Sequence, residues 1–311
     1  MSGLVKSQTR REALAGISKL AGAALLGEGL LPKTVLSNPA GYSPMLSVEI
    51  YVWMQHFQAQ RKTLEAGVEE ALEAIRRAGY ARVELTSDFF LPGVRAKTLA
   101  ALKKTELEMP TIYTNATLYE TKVAEKSIAD ALELADTVKE IGAKWILTNP
   151  SPKRERKTDD ELNTQASYLN KLGGELQKHG MRLMVHHHTP ELTENAREWR
   201  HQLQHTDPKL VSCCVDVEWA VRGGQEPLAF LREVGSRLAS LHVRNSKGGV
   251  WMEDFGDGDI DYTKVAAYLK EINFAGYLIV ELAYEPKTQI TRSLEEDLRL
   301  SRLYAEKVFG L

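Results

Sequence analysis

Chemically capable side chains recur at a regular interval in the second half of this chain. His186-His187-His188, Asp216, His242 and Glu281 are separated by gaps of 30, 26 and 39 residues counted from His186. Each sits where a short apolar run ends. Imidazole mixed with carboxylate suits a divalent cation such as Mn, Co, Zn or Fe better than Ca, which takes oxygen ligands. Singly, each residue has a plain structural reading: an Asp after a strand commonly caps a helix, and a lone His can be a hydrogen-bonded core residue. Four in succession point to one shared metal site. Neighbouring side chains of an extended segment face opposite ways, so His186 and His188 share a face. His186 is then the ligand, His188 a contact to substrate or to the ligands, and His187 structural. Glu84 ends an earlier run and either joins this chemistry or caps a helix dipole or loop.

The elements that would position these groups alternate. Apolar or β-branched runs occupy 46–53, 81–85, 109–113, 144–148, 182–185, 210–215, 238–243 and 277–282. Between and after them lie stretches of helical periodicity at 63–78, 95–106, 123–141, 159–178, 193–205, 226–234, 262–272 and 292–308. Gly79, Gly142, Gly180, Pro208 and Gly276 stop the chain before the next strand. Strict alternation implies parallel strands joined by crossovers. Eight repeats over roughly 260 residues fit an α/β closed (β/α)8 TIM barrel, whose reacting groups gather at the C-terminal strand ends. No glycine-rich dinucleotide turn follows the first strand. The expected division is residues 1–40 as a leader and 45–311 as one barrel.

Several segments are specific when taken in order. They are Gly79-Tyr80-Ala81-Arg82-Val83-Glu84-Leu85, Val185-His186-His187-His188, Val215-Asp216 with Gly223-Gly224, Leu241-His242-Val243-Arg244, Gly256-Asp257-Gly258-Asp259-Ile260-Asp261-Tyr262 and Tyr277-Leu278-Ile279-Val280-Glu281. Over about residues 46–310 the chain resembles the xylose isomerase-like TIM barrel superfamily, often labelled sugar phosphate isomerase/epimerase. The resemblance implies one divalent metal on His186, Asp216, His242 and Glu281, and a short helix after Asp216. It departs at His186, where epimerases of the family usually carry a proton-moving Glu; inosose dehydratase-like relatives are among those with a His-rich fifth strand. It departs again at Trp219, where DNA-repair members carry a further metal-binding His, and this disfavours an abasic-site endonuclease.

Isomerisation, epimerisation and dehydration of keto-sugars share a first step. A proton leaves the carbon beside a carbonyl, and the enediolate oxygen must be stabilised, which a divalent metal does as Lewis acid. A carboxylate within hydrogen-bond reach acts as base. Glu281 is expected as ligand and base, with His188, Glu84 or Glu218 for the second proton transfer. Arg244 and Lys247 could bind hydroxyls or developing negative charge, or be solvated loop charges. Trp219, Trp251 and Trp53 could stack on a sugar, or simply pack. The leading expectation is a sugar isomerase or epimerase. A lyase or dehydratase acting on a keto-sugar or cyclitol is the alternative, and a non-catalytic sugar-binding barrel the third.

Composition fits this. Apolar residues make up 43% and charged residues 26% of 311, and the net charge is −2, ordinary for a globular protein and poor for nucleic acid. The expected partner is a small sugar, with room for a homo-oligomer. Cys213 and Cys214 are adjacent, so an ordinary disulfide between them is geometrically disfavoured and two buried thiols are expected. Residues 1–40 combine a basic start, Arg10-Arg11, a weakly apolar stretch from Ala13 to Leu31 broken by Lys19 and Glu28, and small residues near Ala40. This reads as a twin-arginine-type export signal to a periplasm and not as a membrane span; an amphipathic N-terminal helix of a cytoplasmic protein is the competing reading.

Overall fold

Parallel strands buried on both faces need apolar side chains in both directions, and Val48, Val83, Ile112, Ile146, Leu183, Val215, Leu241 and Val280 supply the outer set, every one at or near zero exposure. In the computed structural model, which describes residues 38–311, these residues lie on eight strands: β1 Met45–Glu49, β2 Arg82–Thr86, β3 Glu108–Ala116, β4 Trp145–Pro150, β5 Arg182–Val185, β6 Val211–Asp216, β7 Leu238–Val243 and β8 Tyr277–Val280. Each pairs in parallel with its neighbours, and β8 pairs with β1, closing a single (β/α)8 barrel. The leader assigned to residues 1–40 falls almost wholly outside the described residues. Among the described residues no helix is long and apolar enough to cross a membrane.

The connecting helices are α1 Tyr51–Ala59, α2 Leu64–Arg77, α3 Arg95–Thr105, α4 Thr121–Val138, α5 Asp159–Lys178, α6 Thr189–His205, α7 Val217–Arg222, α8 Pro227–Val234, α9 Tyr262–Glu271 and α10 Leu294–Phe309. Local chemistry starts several of them. Thr158 and Glu161 form a reciprocal capping box on α5, and Ser293 caps α10. Gly276, at the entry to β8, allows a close approach that no side chain permits: a Cβ there would lie 2.1 Å from the Ala239 carbonyl oxygen.

Two differences from the sequence reading matter for the site. The first strand does not run to Trp53; it ends at Glu49, and Tyr51 begins a helix. Trp53 and Phe57 are one helical turn apart and both buried, so the aromatic run belongs to a helix face. Helix α6 starts at Thr189, four residues earlier than its periodicity suggests. Its course is interrupted at 193–196, where Glu194, Asn195 and Ala196 take left-handed φ values of 51°, 58° and 56°.

The core lies mainly between barrel and helices. Inside the barrel a small apolar plug of Leu147, Met184 and Cys214 fills the lower lumen. Both cysteines are free and buried. His187 points outward into the helix layer, edge-on to Trp199 at 4.7 Å and Phe230 at 5.3 Å. Neither of its ring nitrogens has a hydrogen-bond partner, and an unsatisfied buried polar group costs about 1–3 kcal/mol. We therefore expect His187→Leu, of similar volume, to stabilise the fold by about 1 kcal/mol in urea denaturation; a clear loss of stability would refute this account of the position.

Candidate metal and active site

Above the apolar plug the lumen turns polar. Alternation along each strand aims Glu49, Tyr113, Asn149, His186, His242 and Glu281 into one cavity of about 410 Å3 at the C-terminal end of the barrel. His186 lies one residue past β5, held by its N–H to the Thr148 carbonyl at 2.8 Å. Asp216 ends β6 in direct register with His242 of β7. Glu281 follows β8, its N–H bonded to the Val243 carbonyl at 3.1 Å. The result is that one ligand atom from each of His186, Asp216, His242 and Glu281 lies within 4.8 Å of all the others, and all four residues are buried.

The polar atoms here fit a cation. His186 Nδ1 is buried without a hydrogen-bond partner. Both nitrogens of His242 face carboxylates: Nδ1 is 2.6 Å from Glu281 Oε2 and Nε2 is 2.8 Å from Glu84 Oε1. Burial works against it, but Cys214 and the Glu84 and Glu281 carboxylates hold His242 well above the ordinary imidazole range. A cation would take the place of the Nδ1 proton and leave the Nε2 N–H donated to Glu84, the arrangement in which a carboxylate orients a metal-binding histidine. His186, Cys214 and His242 form an overlapping group, but burial pushes the Cys214 thiol up, which favours the set with two carboxylates.

Arg244 is the buried counter-charge. Its Nη2 donates to Asp216 Oδ2 at 3.2 Å and its Nη1 to Glu281 Oε1 at 3.5 Å. Its guanidinium lies over the Trp251 ring at 4.1 Å and near Trp219 at 5.1 Å. Burial works against ionisation of Glu281, but Arg244 and then His242 outweigh it and hold the carboxyl at about 2. At Asp216 burial prevails over Arg244, and the carboxyl is pushed up to about 7. Burial first, then neighbouring His242 and His188, pushes His186 well below the ordinary imidazole range. His188 is brought down to about 4, chiefly by burial; it precedes α6 as its N-cap, where the helix dipole also disfavours a cation.

The expected site residues divide cleanly. With Asp216 just behind its wall, His188, Trp219, Trp251 and Arg244 line the cavity together with His186, His242 and Glu281. Glu84 does not: it is fully buried beneath His242, so it can orient that ring but cannot meet a substrate. Glu218 also lies outside the cavity, buried and bonded to Ser246 and Arg222. Lys247 is exposed on a two-strand hairpin, Ser246–Lys247 with Val250–Trp251, that turns it away while bringing Trp251 over the site. Trp53 packs against His56 and Phe57. The sequence reading missed Glu49, Tyr113 and Asn149. Burial, then the negative Glu281 and Glu84, drives the Glu49 carboxyl well up. The available signal was their place at strand ends, which a search confined to metal-binding residue types passes over at Tyr113 and Asn149.

Comparison with known proteins bears on the family and the fold. The family described as xylose isomerase-like TIM barrel matches residues 72–304. An inosose dehydratase from Clostridium perfringens is 27% identical over 238 residues, covering 67% of this chain and 79% of its own. A sugar phosphate isomerase/epimerase from Parabacteroides distasonis superposes with a TM-score of 0.68 at 18% identity, covering 85% of this chain and 98% of its own. A D-psicose 3-epimerase from Clostridium cellulolyticum, solved with D-tagatose, gives 0.66 at 12% identity, with 85% and 99% covered; these two likenesses concern the fold. The match over residues 72–304, on a closed eight-stranded barrel, makes this chain a member of the xylose isomerase-like TIM barrel family.

Proposed function

We propose that this protein is a metal-dependent enzyme that isomerises or epimerises a keto-sugar by removing a proton from the carbon beside its carbonyl. The observation that carries the proposal is the convergence of four buried ligand atoms beneath an open cavity. His186, Asp216, His242 and Glu281 would hold one divalent cation, Mn, Co, Zn or Fe, which supplies Lewis acidity beside the carbonyl and a template for substrate oxygens. Arg244 fixes the Asp216 and Glu281 carboxylates, and Glu84 fixes the His242 ring. Trp219 and Trp251, edge to face at 5.3 Å, exclude water and offer an apolar surface to a sugar ring. Glu281 and the neutral His188, both lining the cavity, are assigned the uptake and return of the proton. Tyr113 and Asn149 offer hydrogen bonds to hydroxyls.

A dehydratase is the second reading, favoured by His186 at the position where epimerases of the family usually carry Glu and by the similarity to inosose dehydratases. One experiment separates the readings. The protein is stripped with a chelator, reloaded with Mn2+ or Co2+, and incubated in D2O with a panel of keto-sugars and cyclitol ketones. Metal-dependent deuterium uptake beside the carbonyl, followed by NMR without loss of water from the product, is expected. Loss of water would select the dehydratase, and sugar binding with neither exchange nor conversion would sink the enzyme. The division into an export signal over residues 1–40 and a barrel over 45–311 belongs to the same proposal, and the size of the chain recovered from the periplasm reads it out.

A further inference from the structure

The cavity at the barrel mouth has a neighbour. A second cavity, of about 540 Å3, adjoins it, between the ends of β2 and β3 and the helices α3 and α4. The two share four lining residues, Ser87, Asp88, Thr114 and Asn115, which form the rim between them. The rim is polar and ordered by its own bonds: Thr114 Oγ1 donates to Ser87 Oγ at 3.2 Å, and Thr86 Oγ1 donates to Asp88 Oδ2 at 3.0 Å.

Beyond the rim the surface changes character. Leu91, 55% exposed, and Pro92 form an apolar shelf beside Phe90. Arg95 stands next to them, exposed and without an ion pair among the described residues, while Lys126 on the far wall is paired with Asp130. An exposed apolar step bordered by hydrogen-bonding and mixed charged groups matches a sugar ring, which has an apolar C–H face and a hydroxyl edge. It does not match a phosphate, since acids and bases are interleaved along the wall. The first cavity alone is already in the range of small-ligand sites, about 300–1,000 Å3.

We infer that the substrate is a two-ring glycoside: a keto-sugar unit over the metal cluster, carrying a second sugar that crosses the Ser87–Thr114 rim and lies on the Leu91–Pro92 shelf. This deepens the function proposed above and rests on it for the placement of the keto-sugar unit. Covering the exposed Leu91 side chain and part of Pro92 should strengthen binding about tenfold.

The test uses the full-length, Mn2+-loaded protein and isothermal titration with fructose and with isomaltulose, turanose and leucrose, which are fructose carrying a glucosyl unit at different positions. At least one disaccharide is expected to bind about tenfold more tightly than fructose. In Leu91→Asp and Arg95→Ala, both exposed positions whose folding is checked by melting temperature, that ratio is expected to fall to about one. Equal affinity for fructose and all three disaccharides, or a ratio unmoved by both substitutions, overturns the inference. The two proposals fail separately. Disaccharide preference without metal-dependent proton exchange on any of the four sugars counts against the enzyme and not the second subsite; exchange on fructose without preference does the reverse.

Discussion

Glu281→Gln should lower turnover by about 10³-fold while leaving the barrel folded. The amide keeps the volume and one oxygen but removes the charge that Arg244 and His242 hold ionised. It therefore weakens the cation site and removes a group able to accept the proton in one step. Arg244 keeps its bond to Asp216, so the buried guanidinium is not stranded, and the melting temperature should change little. Turnover measured at saturating Mn2+, with bound metal quantified in the same sample, checks this. Activity within tenfold of the unaltered protein would falsify both assigned roles.

Glu84→Gln is expected to weaken Mn2+ binding by about 10–100-fold. Glu84 is a positioning residue: it lies below the cavity floor, and its side-chain hydrogen bond to the site is the one to His242 Nε2. Replacing a carboxylate by an amide lowers the pull on that N–H and allows the ring to turn or change tautomer. A direct titration with Mn2+ reads the loss. If Glu84 acts through the ring, excess Mn2+ restores kcat and leaves KM for the sugar unchanged. A purely structural role would lower the melting temperature and leave metal affinity alone, and that pattern would reject the assignment.

The barrel was readable because parallel strands must be apolar on both faces, which leaves eight runs that resemble nothing else in the chain. The candidate ligands stood out together and not singly: Asp216 also caps the helix that follows it, accepting from the Trp219 N–H, but His, Asp and Glu at the ends of four successive runs have no common packing purpose. What escaped did so where periodicity is ambiguous. Ile50–Trp53 is β-branched and aromatic and continues the strand pattern, yet Trp53 and Phe57 share a helix face, and overlooking this hid Glu49 as a strand end. The hairpin strands Ser246–Lys247 and Val250–Trp251 are two residues each, too short for any period to register, so nothing local indicates that Trp251 folds over the site and Lys247 away from it. Glu84 was read as a reacting group because sequence gives its strand end but not its depth.

The seam between the first and last strands has a bearing on how the protein is made. β8 pairs with β1 across more than two hundred residues of chain, and the residue that follows β8 is Glu281. The same stretch thus shuts the cylinder and carries the fourth of the candidate ligands. On a ribosome, the three earlier donors emerge without it, in a sheet that still has an open edge. On the proposed reading, the full four-residue cation site would therefore form only with closure of the barrel.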